Sequence, residues 1–250
     1  MSLLYTLFKR TPVRKAYGDF RKALMRDRYD YSQALEITKL MPLLSELPSK
    51  IVLDIGAHDG KTYSNSYPLL KRGWKGYLVE PNPANVEAIR SNCEGCDYEV
   101  IEAAITAVEA NGVRLYLDKV TTKDLRASIK QPDSDAWSKE NLSEKAIDVA
   151  SYMLPELIQK YSIPNDIGLM SLDIEGLDTA VIQTLMDFRP YVLLVEIDFT
   201  DYDQAKAKVA YLLDRGYLNV FRIGCNEVFI CTDYPVFRTA KVKKFIEDNF

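Results

Sequence analysis

The chain has 250 residues, 47% of them hydrophobic and 27% charged, with a formal net charge of −4. That length can bury a full core and fits one α/β domain with a short extension. It holds no run of 18 or more apolar residues to span a membrane, and its acidic balance argues against a nucleic-acid enzyme, because a phosphate backbone demands basic surface.

Residues 1–45 read as a basic, mostly helical extension. Nine Lys and Arg stand against four Asp and Glu in residues 1–40, a net +5, so residues 41–250 carry −9. The arm reads as a solvated lead-in, with weak contact to an anionic membrane face as the alternative. Its apolar start, Met1–Phe8, precedes Lys9 and Arg10, the reverse of the order in a secretory signal. Four cysteines do not suggest a disulfide framework, and Cys93 and Cys96 read as reduced thiols rather than a zinc site. A cytoplasmic location follows as the expectation.

From residue 46 onward, strand-like and helix-like segments alternate. Residues 50–55 form a strand ending at Gly56, and residues 61–72 read as a helix closed by Gly73. A second strand spans 76–80, a helix runs from Pro83 to about Cys93, and a third strand spans 98–102. The pair Asn111-Gly112 is a hairpin-type turn signal before a strand at 113–117. Residues 118–146 are polar and read as a long loop that would select the acceptor. A helix follows at 151–161, then a strand at 166–173. Asp178 can cap a helix whose apolar face is Val181, Ile182, Leu185 and Met186, ended by Pro190. Residues 191–197 are almost wholly apolar, as in a strand buried on both faces. A helix near 202–215 stops at Gly216, and 217–231 supply two closing strands. Such alternation predicts a doubly wound sheet with ligands at the carboxyl ends of the strands.

The first turn, Asp54-Ile-Gly-Ala-His-Asp-Gly60, is the informative one. A strand, a glycine turn, a helix and an acid ending the next strand make a nucleotide-type βαβ unit. Glu80 lies 20 residues after Gly60, placed to accept hydrogen bonds from ribose hydroxyls. A dinucleotide needs G-x-G-x-x-G for its pyrophosphate; this turn is Gly-x-x-x-Gly, and Asp54 and Asp59 would repel phosphate. S-adenosylmethionine carries an ammonium and a sulfonium that acids attract, and a carboxylate that backbone N–H groups can hold. The acids therefore favour the methyl donor.

Five segments, Asp54–Gly60, Val79–Pro83, Glu102–Ala104, Ser171–Gly176 and Leu193–Glu196, together resemble the FkbM family of S-adenosylmethionine-dependent methyltransferases over roughly residues 50–231. The resemblance implies a Rossmann-like seven-stranded sheet with helices on both faces, and O-methylation of a hydroxyl, commonly on a sugar or a secondary metabolite. It also implies that Asp54, Gly56, Ala57, His58, Asp59 and Gly60 hold the methionine part and Glu80 the ribose. Pro81 and Asn82 would shape the wall beside the adenosine, and Glu102, Ala103 and Ala104 would flank the adenine. His58 stands where many relatives have asparagine.

Methyl transfer to an aliphatic hydroxyl is an in-line displacement that gains from positioning and from a general base. Asp173, Glu175 and Glu196 fall at or beyond the carboxyl ends of central strands and are the candidate catalytic carboxylates, with Asp173 also bordering the donor. Asp198 would bind acceptor hydroxyls. Lys61, Tyr63 and Ser64, beside Thr62, would open the first helix and face the acceptor. His58 is expected to bond the donor or fix its loop rather than to act as base. No metal is expected, because no third ligand accompanies Asp173 and Glu175 and the chain has one histidine. The 16 tyrosines suit either sugar stacking or ordinary packing. The leading expectation is O-methylation of a saccharide or glycoconjugate. Polyketide or peptide acceptors, a nicotinamide-dependent enzyme and a non-catalytic donor-binding domain are the alternatives.

Overall fold

The structure, a computed structural model, describes residues 28–119, 127–174, 178–185, 187–197 and 202–249. Glu175, Gly176, Met186 and Asp198, named above, lie outside the described residues, as do residues 1–27 of the basic arm and 120–126 of the polar stretch.

The chain enters through α1 (Glu36–Leu44) and β1 (Ile51–Ile55), followed by α2 (Tyr67–Leu70), β2 (Lys75–Val79), α3 (Pro83–Asn92) and β3 (Tyr98–Ile101). A middle region holds β4 (Ala104–Thr106), β5 (Val113–Asp118), α4 (Ala136–Asn141), β6 (Leu142–Val149) and β7 (Ser151–Met153). Then come α5 (Leu154–Lys160), β8 (Leu169–Leu172), α6 (Asp178–Ile182), β9 (Val192–Glu196) and α7 (Tyr202–Asp214). The hairpin β10 (Tyr217–Ile223) and β11 (Asn226–Cys231), a 3-10 turn at Pro235–Arg238 and α8 (Ala240–Asn249) close the chain.

Seven strands form one sheet in the order β3-β2-β1-β8-β9-β11-β10. All pairings are parallel except those of β11, which runs against both β9 and β10. The order reverses between β1 and β8, and such a switch point opens a crevice at the strands' carboxyl ends. This is the doubly wound sheet the alternation predicts.

Period-two alternation divides the core into two layers. Leu53, Ile55, Met170, Leu172 and Val195 face one side, where Leu154, Val181, Ile182 and Leu212 of α5, α6 and α7 cover them. Val52, Leu78, Leu169 and Leu194 face the other, under Ile37, Ile89 and Val242 of α1, α3 and α8. α1 lies within the 1–45 stretch, yet its Ile37, Leu40, Leu43 and Leu44 are fully buried in this second core.

Local structure departs from the sequence reading in four places. Of residues 61–72, only Tyr67–Leu70 are helical. Asp59 accepts from the backbone N–H groups of Lys61 and Thr62 at 2.9 and 2.6 Å, and Tyr63 sits at φ +57. Lys61, Thr62, Tyr63 and Ser64 thus form a loop rather than opening a helix. The Asn111-Gly112 turn makes no hairpin, because β4 pairs with β7 and the partner of β5 is β6. The polar stretch 118–146 contains α4 and much of β6. Alternate residues of this two-stranded arm bury Leu115 and Val149 against Ala104, which a structureless loop would leave in water. Lastly, the helix expected at 151–161 begins only at Leu154, where the Glu156 carboxylate accepts the Met153 N–H at 3.0 Å.

Candidate active site

The carboxyl ends of β1, β2 and β8, together with the β3–β4 connection, surround a cleft of about 720 Å³. That lies within the range of roughly 300–1,000 Å³ usual for small-molecule sites. Its floor is acidic. Asp54 is buried at the end of β1, and Ser66 donates to its Oδ2 at 2.5 Å. Ser171 of β8 also bonds this carboxylate and in turn accepts from Asn65 Nδ2 at 3.1 Å. Ser64 Oγ lies 3.1 Å from Ser66 Oγ and accepts the Tyr67 N–H at 3.0 Å. A carboxylate buried in a β-strand requires such donors, and this need draws residues 64–66 out of a helix and onto the end of the sheet.

Glu80, one residue beyond β2, is equally buried. Its Oε1 accepts from Asn82 N at 2.9 Å and Asn85 Nδ2 at 3.2 Å, and its Oε2 accepts from His58 N at 2.9 Å. A carboxylate oxygen offers two lone pairs, so Oε2 retains one acceptor direction beside the cleft. Burial pushes the Glu80 carboxyl up to about 7, with the nearby Asp54 charge adding to the rise, and burial pushes Asp54 up to about 6.

These raised values carry a sign. Glu80 binds its proton more tightly when folded, so its contribution to stability is full below pH 4.5 and disappears as pH rises through about 7. The stability of the ligand-free protein relative to a Glu80→Gln variant should therefore fall by on the order of 3 kcal/mol between pH 4.5 and 8. Urea unfolding of both proteins across that range measures it. A difference independent of pH would mean that Glu80 titrates like an exposed acid.

The turn itself is held by backbone geometry. Gly56 and Ala57 both donate to Val79 O, at 3.0 and 3.1 Å, and Gly60 donates to Ala57 O at 2.9 Å. Gly56, His58 and Gly60 all have positive φ. Because these amides, like those of His58, Lys61 and Thr62, are spent within the protein, the turn is not an open amide cradle for a carboxylate. What it presents to a ligand is acid.

Of the residues named from sequence, Asp54, Gly56, Ala57, His58, Glu80, Pro81, Ala103, Ala104, Tyr63, Ser64 and Asp173 all line this one cleft. Asp173 is exposed at its rim. The others stand behind or beside it. Asp59 binds Thr62 Oγ1 at 2.6 Å and so shapes the loop. Gly60 packs on α3, where an added Cβ would meet Cys93 Sγ and Ile89 Cγ1 at 3.1 Å. Asn82 caps α3 by accepting the Ala84 N–H at 3.0 Å. Lys61 Nζ lies over the Tyr31 ring at 5.0 Å, and Glu102 is exposed outside the cleft wall. Glu196 is half-buried at the end of β9, and its carbonyl accepts from the buried Lys208 Nζ at 2.6 Å.

Sequence reasoning missed Ser66, Ser171 and Asn65, and the wall residues Gln33, Ala34, Leu115 and Ser128. One signal was available for the first group. Ser64-Asn65-Ser66 is a run of residues whose side chains compete with helix formation, set inside a segment read as helix.

None of the described lining residues is Lys or Arg. Three acids and an apolar wall of Ala103, Ala104, Ile105 and Leu115 fit a ligand that is cationic at one end and carries a flat apolar ring at the other. Among the described residues no group of three or more His, Cys, Asp or Glu side chains comes together as a metal site.

Residues 54–218 match the family model described as the methyltransferase FkbM domain. No curated protein matches the chain. Among solved structures, it is similar to a precorrin-6y C5,15-methyltransferase from Geobacter metallireducens GS-15, at 15% identity over 77% of this chain and 84% of that one, with a TM-score of 0.38. It is also similar to an O-methyltransferase from Bacillus cereus in complex with SAH, at 13% identity over 86% and 87% of the two chains, with a TM-score of 0.42. A third likeness is to an SAH-bound methyltransferase from Podospora anserina, at 9% identity over 88% and 87%, with a TM-score of 0.41.

Proposed function

Because the chain belongs to the FkbM methyltransferase family, we propose that it transfers a methyl group from S-adenosylmethionine to a hydroxyl oxygen of a saccharide or glycoconjugate. The enzyme is a methyltransferase dependent on that donor. One observation carries the rest of the reading: a cleft with two buried carboxylates at its floor, a third at its rim, and no cationic side chain among its described lining residues.

The donor, when bound, supplies an electrophilic methyl group on a cationic sulfur. Asp54 and Asp173 attract its positive charge, and the remaining Oε2 direction of Glu80 accepts from its ribose hydroxyls. Ala103, Ala104 and Ile105 leave room for the adenine and keep water from it. At the rim, Asp173 accepts the proton that the acceptor hydroxyl loses, while the surrounding walls fix the oxygen's approach. Orientation of this kind is where much of the rate in a two-substrate transfer arises. All four cysteines are free thiols, which supports a reducing, cytoplasmic setting. No described helix is long and apolar enough to cross a membrane.

A thermal-shift comparison of S-adenosylhomocysteine, S-adenosylmethionine and NAD tests the donor site. A ligand at 100 times its dissociation constant adds about 2.7 kcal/mol, which should raise the midpoint by roughly 5–10 °C for a chain of this size. The shift should appear with the two adenosyl ligands and vanish in Glu80→Ala, which strips three hydrogen-bond donors of their shared acceptor. A shift with NAD alone would sink the reading. Release of S-adenosylhomocysteine in the presence of methyl glycosides, phenols and hydroxylated peptides then separates the sugar acceptor from its alternatives.

A further inference from the structure

The segment just before α1 lies outside the family-matched span, yet it reaches the cleft. Gln33 and Ala34 line it. Two fully buried acids hold the segment in an irregular path. Asp30 Oδ1 accepts from Ser32 N at 3.0 Å, and its Oδ2 accepts from Thr38 N at 2.7 Å. Glu36 Oε2 accepts from Ala34 N at 2.8 Å, and its Oε1 accepts from Asn226 Nδ2 at 3.0 Å. Leu35 sits at φ +60, a left-handed conformation that costs a non-glycine residue roughly 1–2 kcal/mol and persists where the surroundings over-determine it.

The segment is tied on both sides. Ser32 bridges to Tyr63 of the donor loop, and Tyr31 packs edge-on against Tyr67 with ring centroids 5.5 Å apart. On the other side it meets the two-residue turn between β10 and β11. An added Cβ at Gly224 would lie 3.0 Å from Ala34 Cβ, and the Cys225 thiol donates to Gln33 Oε1 at 3.2 Å. Cys225 is close enough to Glu196 and Asp173 for both charges to act on its thiol. Gln33 therefore lines the cleft beside the β10–β11 turn, in the same pocket as Asp173.

We infer that Asp30–Glu36 form the acceptor-side wall of the active site, and that the Gln33 side-chain amide is a specificity-determining group that reads a neutral hydroxyl beside the one methylated. This deepens the proposed hydroxyl methylation and rests on it. Gln33 is exposed, and with its Oε1 engaged by Cys225 its Nε2 still offers two donors. A primary amide is suited to an uncharged hydroxyl oxygen. An anionic acceptor would instead meet the Asp173 carboxylate with no described cation lining the cleft.

The test uses the full chain and its Gln33→Leu, Gln33→Glu and Gln33→Asn variants. Affinity for S-adenosylhomocysteine is measured by calorimetry, and turnover on a panel of neutral methyl glycosides and their 6-phosphates by S-adenosylhomocysteine release. The wild type should methylate neutral members in preference to phosphates. Gln33→Leu and Gln33→Glu should raise KM for the best acceptor roughly 5- to 10-fold, with kcat and donor affinity within about twofold, and Gln33→Asn should recover part of the loss. Wild-type activity with unchanged KM in Gln33→Leu would overturn the inference alone, as would a loss confined to donor affinity. A wild type that binds S-adenosylhomocysteine but methylates no panel member would overturn the proposed acceptor class, and this inference with it.

Discussion

Asp173→Asn is expected to lower kcat by roughly 100- to 10,000-fold, the span associated with a positioned general base. Its effect on S-adenosylhomocysteine affinity should stay below about tenfold, since the charge it removes is exposed. The residue directly follows β8, next to β1 at the switch point, and it lines the cleft. Its backbone is fixed independently of that carboxylate: the N–H donates to Ile55 O at 3.0 Å and the carbonyl packs on Gly56. Asparagine keeps the shape and removes both the charge and the basicity, so a rate loss in a well-folded variant that keeps its S-adenosylhomocysteine affinity would point to proton transfer rather than to donor binding. Glu196→Gln, outside the lining residues, should lose less than about tenfold. Full activity in Asp173→Asn together with a large loss in Glu175→Gln would move the base two residues along the chain.

The second large effect concerns a residue with no side chain. Gly56 lies at φ +88, and a Cβ placed there would come 1.9 Å from the Asp173 carbonyl oxygen and 3.0 Å from its carbon. Two costs combine in Gly56→Ala. The left-handed backbone costs roughly 1–2 kcal/mol, and forcing packed backbone apart costs about 1–3 kcal/mol more. Thermal unfolding should show a fall of roughly 5–15 °C for a chain of this size. The accompanying shift of Asp173 should depress kcat even in the fraction that remains folded. A midpoint within about 2 °C of wild type would show that the β1 turn and the β8 end are not packed as described. The glycine is thus required by the approach of a neighbouring strand, not by a ligand's phosphate.

The contrast between these two positions bears on how much was legible in advance. Gly56 and Glu80 were found in sequence because a strand, a glycine turn and an acid at the next strand's end form a local, ordered pattern. What Gly56 makes room for was not legible, because the Asp173 carbonyl is brought there by β1–β8 pairing across more than a hundred residues. In the same way, the local pattern marks Asp54 as an acid of the first turn, whereas its partners Ser66 and Ser171 come from a loop and a strand that only the folded sheet adjoins.

By itself, the sequence determined the doubly wound sheet, apolar central strands within 191–197 and 166–173, and an acidic βαβ unit whose charges favour a cationic donor over a pyrophosphate. Each of these depends on period-two burial or on residues close in the chain, so composition and spacing suffice. Tertiary structure alone decided that residues 61–66 form a loop rather than a helix, that 142–149 return as a strand beside 113–118, and that the segment before α1 walls the cleft. The physical reason is common to all three. Helix and strand propensities differ by less than about 1 kcal/mol per residue, whereas an unpartnered buried carboxylate or an uncovered apolar face costs several times that. Asp54, Asp30 and Glu36 had to find donors, and Leu115 and Val149 had to find cover. The chain bent wherever those partners were to be had.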